Sequence, residues 1–242
     1  MNKILKEGDR IEFKDILKPS DEEAGKKANV YVSQIFEFDE EEDIIRVAMP
    51  IMKGNLIPLP KDGIFETFFF ASKGLYRCKS KILERYKEGN VYAMRISLES
   101  ELEKYQRRQY FRLEKSFSLL YSGMNDDEYL SIIETRNIPE TLMEQTRYIE
   151  GVSLDISGGG MRFVGKSMIE PNSKIFIVFD IETASGNVRL RIPANVILSF
   201  EIPGRGQKYE HRVEFENISK ESREMLIKYI FEEERRMRKD GR

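Results

Sequence analysis

The chain has 242 residues, with 40 Lys+Arg against 42 Asp+Glu, one His, one Cys and no Trp, and a formal net charge of −2. No global basic field therefore draws it to nucleic acid or anionic lipid. His211 and Cys78 cannot by themselves make a Cys/His zinc site, which leaves only carboxylate-oxygen metal sites, and a lone Cys closes no internal disulfide, as fits a reducing cytosol.

The N-terminus, MNKILKEGDR, turns charged before an apolar targeting core can form. The longest unbroken apolar run, Ile175–Phe179, is five residues, against the roughly 20 of a spanning helix. A cytoplasmic protein with no direct membrane insertion is expected.

Period-two patterning then dominates. Val30–Phe38 alternates, with Val30, Val32, Gln34, Phe36 and Phe38 on one face and Tyr31, Ser33 and Ile35 on the other. Ile44–Ala48, Ile64–Ala71, Leu75–Glu84 and Val91–Ser97 are further predicted strands. Turn residues separate them at Lys53-Gly54-Asn55, Lys61-Asp62-Gly63, Ser72-Lys73-Gly74 and Glu88-Gly89-Asn90. Short strands with turns at this spacing predict a β-barrel or sandwich, here a first domain over residues 1–98. Phe68-Phe-Phe70 is expected in its core.

Glu99–Gln106 is charged and polar and reads as a connector, within a linker expected over residues 99–112. A second β set is predicted over Tyr110–Tyr121, Tyr148–Ser157, Met161–Val164, Lys174–Ile181, Val188–Phe200 and Tyr209–Phe215, in a domain over residues 113–242. The insertion Ser122–Gln145 leaves two readings open, a short helix at Pro139-Glu-Thr-Leu-Met or an irregular segment. Pro203-Gly204-Arg205-Gly206 is a predicted hairpin tip. The chain ends in a predicted helix capped by Ser219. Its apolar stripe is Met225, Leu226, Tyr229, Ile230 and Met237, and its i,i+4 pairs are Glu232–Arg236 and Glu234–Arg238. The fold class is thus all-β, two small barrels in tandem with a C-terminal α-helix.

Two constellations carry chemistry. Lys104-Tyr-Gln-Arg107-Arg108-Gln-Tyr-Phe-Arg112 holds four cations and no acid. Arg108 and Arg112, four apart, share a side in helix or strand. Two guanidinium forks suit phosphate oxygens or the O6/N7 edge of guanine. In Gly151-Val-Ser-Leu-Asp155-Ile-Ser157-Gly158-Gly159-Gly160, alternation groups Ser153, Asp155 and Ser157 opposite Val152, Leu154 and Ile156. The glycines permit positive φ and close approach of a ligand to the backbone. A carboxylate and a hydroxyl there can accept from guanine N–H groups.

Arg108-x-x-x-Arg112 followed by Asp155-x-Ser157-x-x-Gly160 resembles the paired signature of PilZ domains, receptors for cyclic di-GMP, over roughly residues 105–238. The first domain is similar to the N-terminal barrel of two-domain flagellar brakes of the YcgR type. The resemblance implies a six-stranded barrel with a C-terminal helix that binds the dinucleotide on its surface. It implies that Arg108 and Arg112 clamp guanine and phosphate, that Asp155 and Ser157 read the other guanine edge, and that Gly159 and Gly160 keep the backbone open. Arg107, just before the motif, implies a stacked pair of ligand molecules. It further implies a non-enzymatic receptor with no catalytic residues, metal or cofactor, in which ligand recruits the linker and changes the domain arrangement. The implied partner is the flagellar motor or another effector protein, with the basal body as the place of action.

Three other patterns are weighed. Gly160-Met-Arg-Phe-Val-Gly165-Lys166-Ser167 satisfies the P-loop spacing, but that loop must open a helix after a strand. Here the variable residues are themselves strand-like and Pro171 follows. His211, facing Tyr209, Val213 and Phe215, is expected in the core. A single-stranded nucleic-acid binder would stack bases on Tyr105, Tyr110 and Phe111, though the net charge and the short patch speak against it. A flavin-dependent split-barrel reductase would need a phosphate cradle that the first domain lacks.

Overall fold

A computed structural model describes residues 4–17, 27–39, 44–143, 147–183, 186–204 and 206–240. The chain divides into two units, Met1–Arg107 and Arg108–Arg242. Arg205 of the expected hairpin tip and Gln145 of the insertion lie outside the described residues.

The first unit runs β1 (Arg10–Asp15), β2 (Val30–Asp39), β3 (Ile44–Ala48), β4 (Ile51–Met52), β5 (Asn55–Leu56), β6 (Ile64–Ala71), β7 (Gly74–Glu88), β8 (Val91–Leu98) and β9 (Glu103–Lys104). Six of these close antiparallel in the order β6-β1-β2-β3-β8-β7, with β6 pairing back onto β7. Closure removes the free edges that an open sheet would expose. The β4–β5 hairpin stands apart. β1 adds a strand to those expected, its Ile11 and Phe13 fully buried between β2 and β6.

Two expectations are corrected here. A bulge between Ile35 and Glu37 makes Phe36 the extra residue of β2. Phe38 therefore pairs with Ile45 and packs on the core, away from the face of Val30 and Val32. Of the three phenylalanines, Phe69 is fully buried in the interior cluster, Phe68 is buried but outside that cluster, and Phe70 alone is not buried. Phe68 and Phe70 face outward under other side chains. Tyr105 covers Phe68 at 5.4 Å between ring centroids, and Arg10 and Arg107 lie 5.1 and 5.0 Å from the Phe70 ring centre.

The second unit runs β10 (Arg112–Glu114), β11 (Ser118–Gly123), α1 (Asp126–Thr135), a 3-10 turn at Glu140–Met143, β12 (Ile149–Ser157), β13 (Gly160–Gly165), β14 (Lys174–Thr183), β15 (Gly186–Glu201), β16 (Tyr209–Phe215) and α2 (Lys220–Asp240). Its barrel closes in the order β12-β11-β14-β15-β16-β13, with β13 pairing back onto β12, and β10 lies beside β11 on the same edge of β12. Phe163, Ile177, Val196 and Val213 fill the interior together with Leu226, Tyr229 and Ile230 of α2.

The predicted strand Tyr110–Tyr121 is interrupted between β10 and β11. Ser153 stitches the break: its Oγ donates to the Lys115 carbonyl at 2.6 Å and accepts from Phe117 N–H at 2.9 Å. Those backbone groups would otherwise be buried without partners. The insertion holds α1, which the sequence reading lacked, as well as the turn at Glu140–Met143. Asn125 and Glu128 form a reciprocal capping box, and Ile132 and Leu142 pack on Phe176 and Val178.

Helix α2 starts as expected, with Ser219 Oγ accepting from Ser222 N–H at 3.1 Å. Glu234–Arg238 forms at 2.6 Å. Arg236, however, reaches Glu233 at 2.9 Å rather than Glu232, because Glu233 is the acid turned inward, where Lys115 also pairs with it. Met237 falls outside the buried stripe and is exposed. Among the described residues no helix is long and apolar enough to cross a membrane.

Candidate ligand site on the second barrel

Strand register arranges the site. Arg112 lies opposite Ser157 and Glu114 opposite Asp155 across β10–β12. Ser157 lies opposite Gly160 and Asp155 opposite Arg162 across β12–β13. Gly160 and Arg162 in turn face Glu214 and Arg212 on β16. Residues paired across strands share a face. The outer surface therefore carries two adjacent rows, Arg112-Ser157-Gly160-Glu214 and Glu114-Asp155-Arg162-Arg212.

Ser153 is not on that face. The register shifts between Ser153 and Asp155, making Leu154 the bulged residue. Ser153 then pairs with the core residue Phe163 and is fully buried, whereas Asp155 and Ser157 point to the outer side. The bulge turns the strand's polar residues outward at the point where the site begins.

Asp155 and Ser157 are nearly buried, at 6% and 8% exposure. The Ser157 hydroxyl donates to the Gly160 carbonyl at 3.0 Å and accepts from Gly159 N–H at 3.4 Å, so it braces the two-residue hairpin turn. Asp155 Oδ2 accepts from Arg162 Nε at 2.6 Å. Arg162 also reaches Glu210 with Nη1 at 3.4 Å, and Glu210 accepts from Arg212 at 3.2 Å. The hydrogen bond it donates to Asp155 raises the Arg162 guanidinium above its ordinary pKa, against the opposing effect of burial.

The three glycines serve space rather than positive φ, for none of them lies in the left-handed region. A Cβ on Gly160 would overlap the carbonyl oxygen of Val213 on the neighbouring strand. On Gly158 it would stand 2.7 Å from the Tyr110 ring, and on Gly159 3.0 Å from it. The ring thus lies directly over the hairpin. Arg223 of α2 fixes it by donating to the Tyr110 hydroxyl at 2.8 Å. Phe111 stacks on Phe231 of α2 at 6.0 Å and 21°. Tyr110, Phe111 and Arg112 are accordingly all held on the second barrel.

Arg112 is exposed and has no ion pair among the described residues. Arg108 is exposed as well. Arg107 is engaged within the first unit, where it pairs with Glu12 at 3.5 Å and lies over Phe70. Glu12 also binds Arg10 at 2.6 Å. The structure thus brings Arg112, Asp155, Ser157, Gly159 and Gly160 together on one surface. Arg162, absent from the sequence-based set, stands among them.

The P-loop pattern is strand: Gly160–Gly165 is β13, and the element that follows Ser167 is the strand β14 rather than a helix. His211 lies in the core with no exposure, its Nδ1 2.9 Å from the Ser199 hydroxyl, and desolvation lowers its pKa to about 4.

These features coincide with known families. The model of the PilZ domain matches residues 106–232, and the model described as flagellar protein YcgR matches residues 6–98. The chain belongs to the PilZ-domain family, with a YcgR-type domain ahead of the PilZ barrel. Among solved structures, the Bacillus subtilis inhibitor of motility (MotI/DgrA) has the same fold. It is 15% identical, with TM-score 0.72, over 95% of this chain and 98% of that one. YcgR of Escherichia coli in complex with c-di-GMP aligns at 14% identity and TM-score 0.49 over 97% and 87% of the two chains. No curated protein matches the sequence.

Proposed function

We propose that this chain is a non-enzymatic receptor for cyclic di-GMP, bound on the outer face of the second barrel. Arg108 and Arg112 clamp phosphate and the guanine O6/N7 edge, Asp155 and Ser157 take the N1–H/N2–H edge, and Gly159 and Gly160 leave the backbone approachable. Ligand binding changes the arrangement of the two barrels and so regulates a partner, the flagellar motor or another effector protein, from the cytoplasm. The YcgR-type first domain supports a motility role, as does the name of the B. subtilis relative, an inhibitor of motility.

The observation that carries this reading is Arg112 opposite Ser157, with Asp155 in the adjacent row and no ion pair on Arg112 among the described residues. Guanine asks for donors on one edge and acceptors on another, and these side chains supply both kinds. Each good bidentate contact contributes about 1–3 kcal/mol. Two such contacts, about 2–6 kcal/mol together, cover the 1–3 kcal/mol by which a ligand typically couples to a conformational equilibrium. Arg107 joins the ligand in this reading only by leaving Glu12 and Phe70.

Titration calorimetry with cyclic di-GMP, using GTP and cyclic di-AMP as controls, tests the proposal. Saturable binding of one or two cyclic di-GMP molecules per chain, with the controls silent, is the expected result. No heat with cyclic di-GMP contradicts it. So does tighter binding of single-stranded oligonucleotides with growing length and a steep salt slope.

A further inference from the structure

We infer that Arg162 is the positioning residue that makes Asp155 a reader of guanine; the inference rests on the receptor reading above and deepens it. Asp155 stands opposite Glu114 across β10–β12, and like charges directly opposite one another are destabilising. Arg162, opposite Asp155 on the other side, supplies the compensating cation.

Its geometry does more than neutralise charge. Arg162 Nε binds Asp155 Oδ2 at 2.6 Å, while its Nη1 is drawn toward Glu210 at 3.4 Å. The guanidinium is planar, so two contacts made by different nitrogens fix its orientation. A fixed Arg162 in turn fixes the rotation of the Asp155 carboxylate and commits one oxygen. Oδ1 has no partner among the described residues and is left to accept from a base. Without Arg162 the carboxylate would turn away from Glu114 and lose the orientation that selects guanine N–H groups.

The test compares Arg162→Gln, Arg162→Lys and wild type by calorimetric titration with cyclic di-GMP and with cyclic GMP–AMP, in which adenine replaces one guanine. Asp155→Ala and Arg189→Gln serve as references. Arg189→Gln removes an equal charge from the exposed pair with Asp180 and should stay within twofold of wild type. Arg162→Gln should weaken cyclic di-GMP binding at least tenfold and shrink its preference over cyclic GMP–AMP at least threefold. Arg162→Lys, a cation without the planar fork, should recover only part of that loss.

Wild-type affinity and preference in Arg162→Gln would overturn the inference. Equal loss for both ligands with a lowered melting temperature would overturn it too, since that is what a merely structural arginine would produce. Failure of wild type to bind cyclic di-GMP removes the receptor reading and this inference together. Wild-type binding that Asp155→Ala abolishes and Arg162→Gln leaves intact removes this inference alone.

Discussion

Arg112 and Ser157 face each other across the β10–β12 pair, a cation beside a hydroxyl that already braces the hairpin after it. Backbone pairing, rather than a mobile linker, sets the place of this arginine. Tyr110 over the hairpin and Phe111 on Phe231 continue the attachment toward Arg108. Part of the arginine motif is therefore organised on the barrel before any ligand arrives, which lowers the ordering cost that binding must meet.

The glycines next to Ser157 should separate fold from site. Gly160→Ala places a methyl against the backbone of β16, where nothing can rotate away, so strands must part. A loss of at least about 3 kcal/mol by urea denaturation is expected, at the upper end of overpacking costs. Gly159→Ala meets only the Tyr110 ring at 3.0 and 3.2 Å, and a side chain can yield. Its stability loss should be about 1 kcal/mol, with cyclic di-GMP binding weakened more than stability.

Glu214 ends the row that runs from Arg112 through Ser157 and Gly160. It is exposed and has no ion pair among the described residues. A carboxylate there repels the phosphates of a dinucleotide bound over Gly160. Glu214→Gln should tighten cyclic di-GMP about two- to fivefold at low ionic strength and less at high salt, as screening of an exposed charge requires. Calorimetry at two salt concentrations reads both effects.

Acid should destabilise the second unit in two separate windows. His211 is held neutral in the core, with its pKa lowered from 6.5 to about 4. The unfolded chain thus binds a proton that the folded chain refuses, and stability falls as pH drops from 6.5 to about 4. The full effect is on the order of 3 kcal/mol. Glu128 is held ionised by the hydrogen bonds it accepts from the Arg147 guanidinium, which lower its pKa from 4.5 to about 2. Its contribution is present above pH 4.5 and is lost on falling toward pH 2. Denaturation midpoints against pH should lose the first slope in His211→Asn and the second in Glu128→Gln.

Much of this was legible from residue pattern. Period two located the principal strands of both barrels, and helical spacing after Ser219 located α2. It failed at bulges. One extra residue at Phe36 and one at Leu154 move every later side chain to the other face, so Ser153 was grouped with Asp155 although it faces the core.

The other omissions had readable signals. Gly158-Gly159 as a two-residue turn puts Ser157 opposite Gly160 and hence Asp155 opposite Arg162. That counting finds the missing arginine, which was hidden inside a P-loop pattern. Asn125-x-x-Glu128 likewise carried the capping box of α1. The covering of Phe68 and Phe70 by Tyr105 and Arg107 had no such signal, since an aromatic run looks the same whether solvent, core or a later segment lies against it.

The central claim is that arginine and carboxylate act on one small molecule, and the affinity of Arg112→Ala and Asp155→Ala for cyclic di-GMP tests it most directly. Both side chains sit on the outside of a barrel whose core they do not enter, so both variants should keep the wild-type unfolding midpoint within a few degrees. Each should bind at least tenfold more weakly than wild type by calorimetry. Wild-type affinity in both variants would contradict the account.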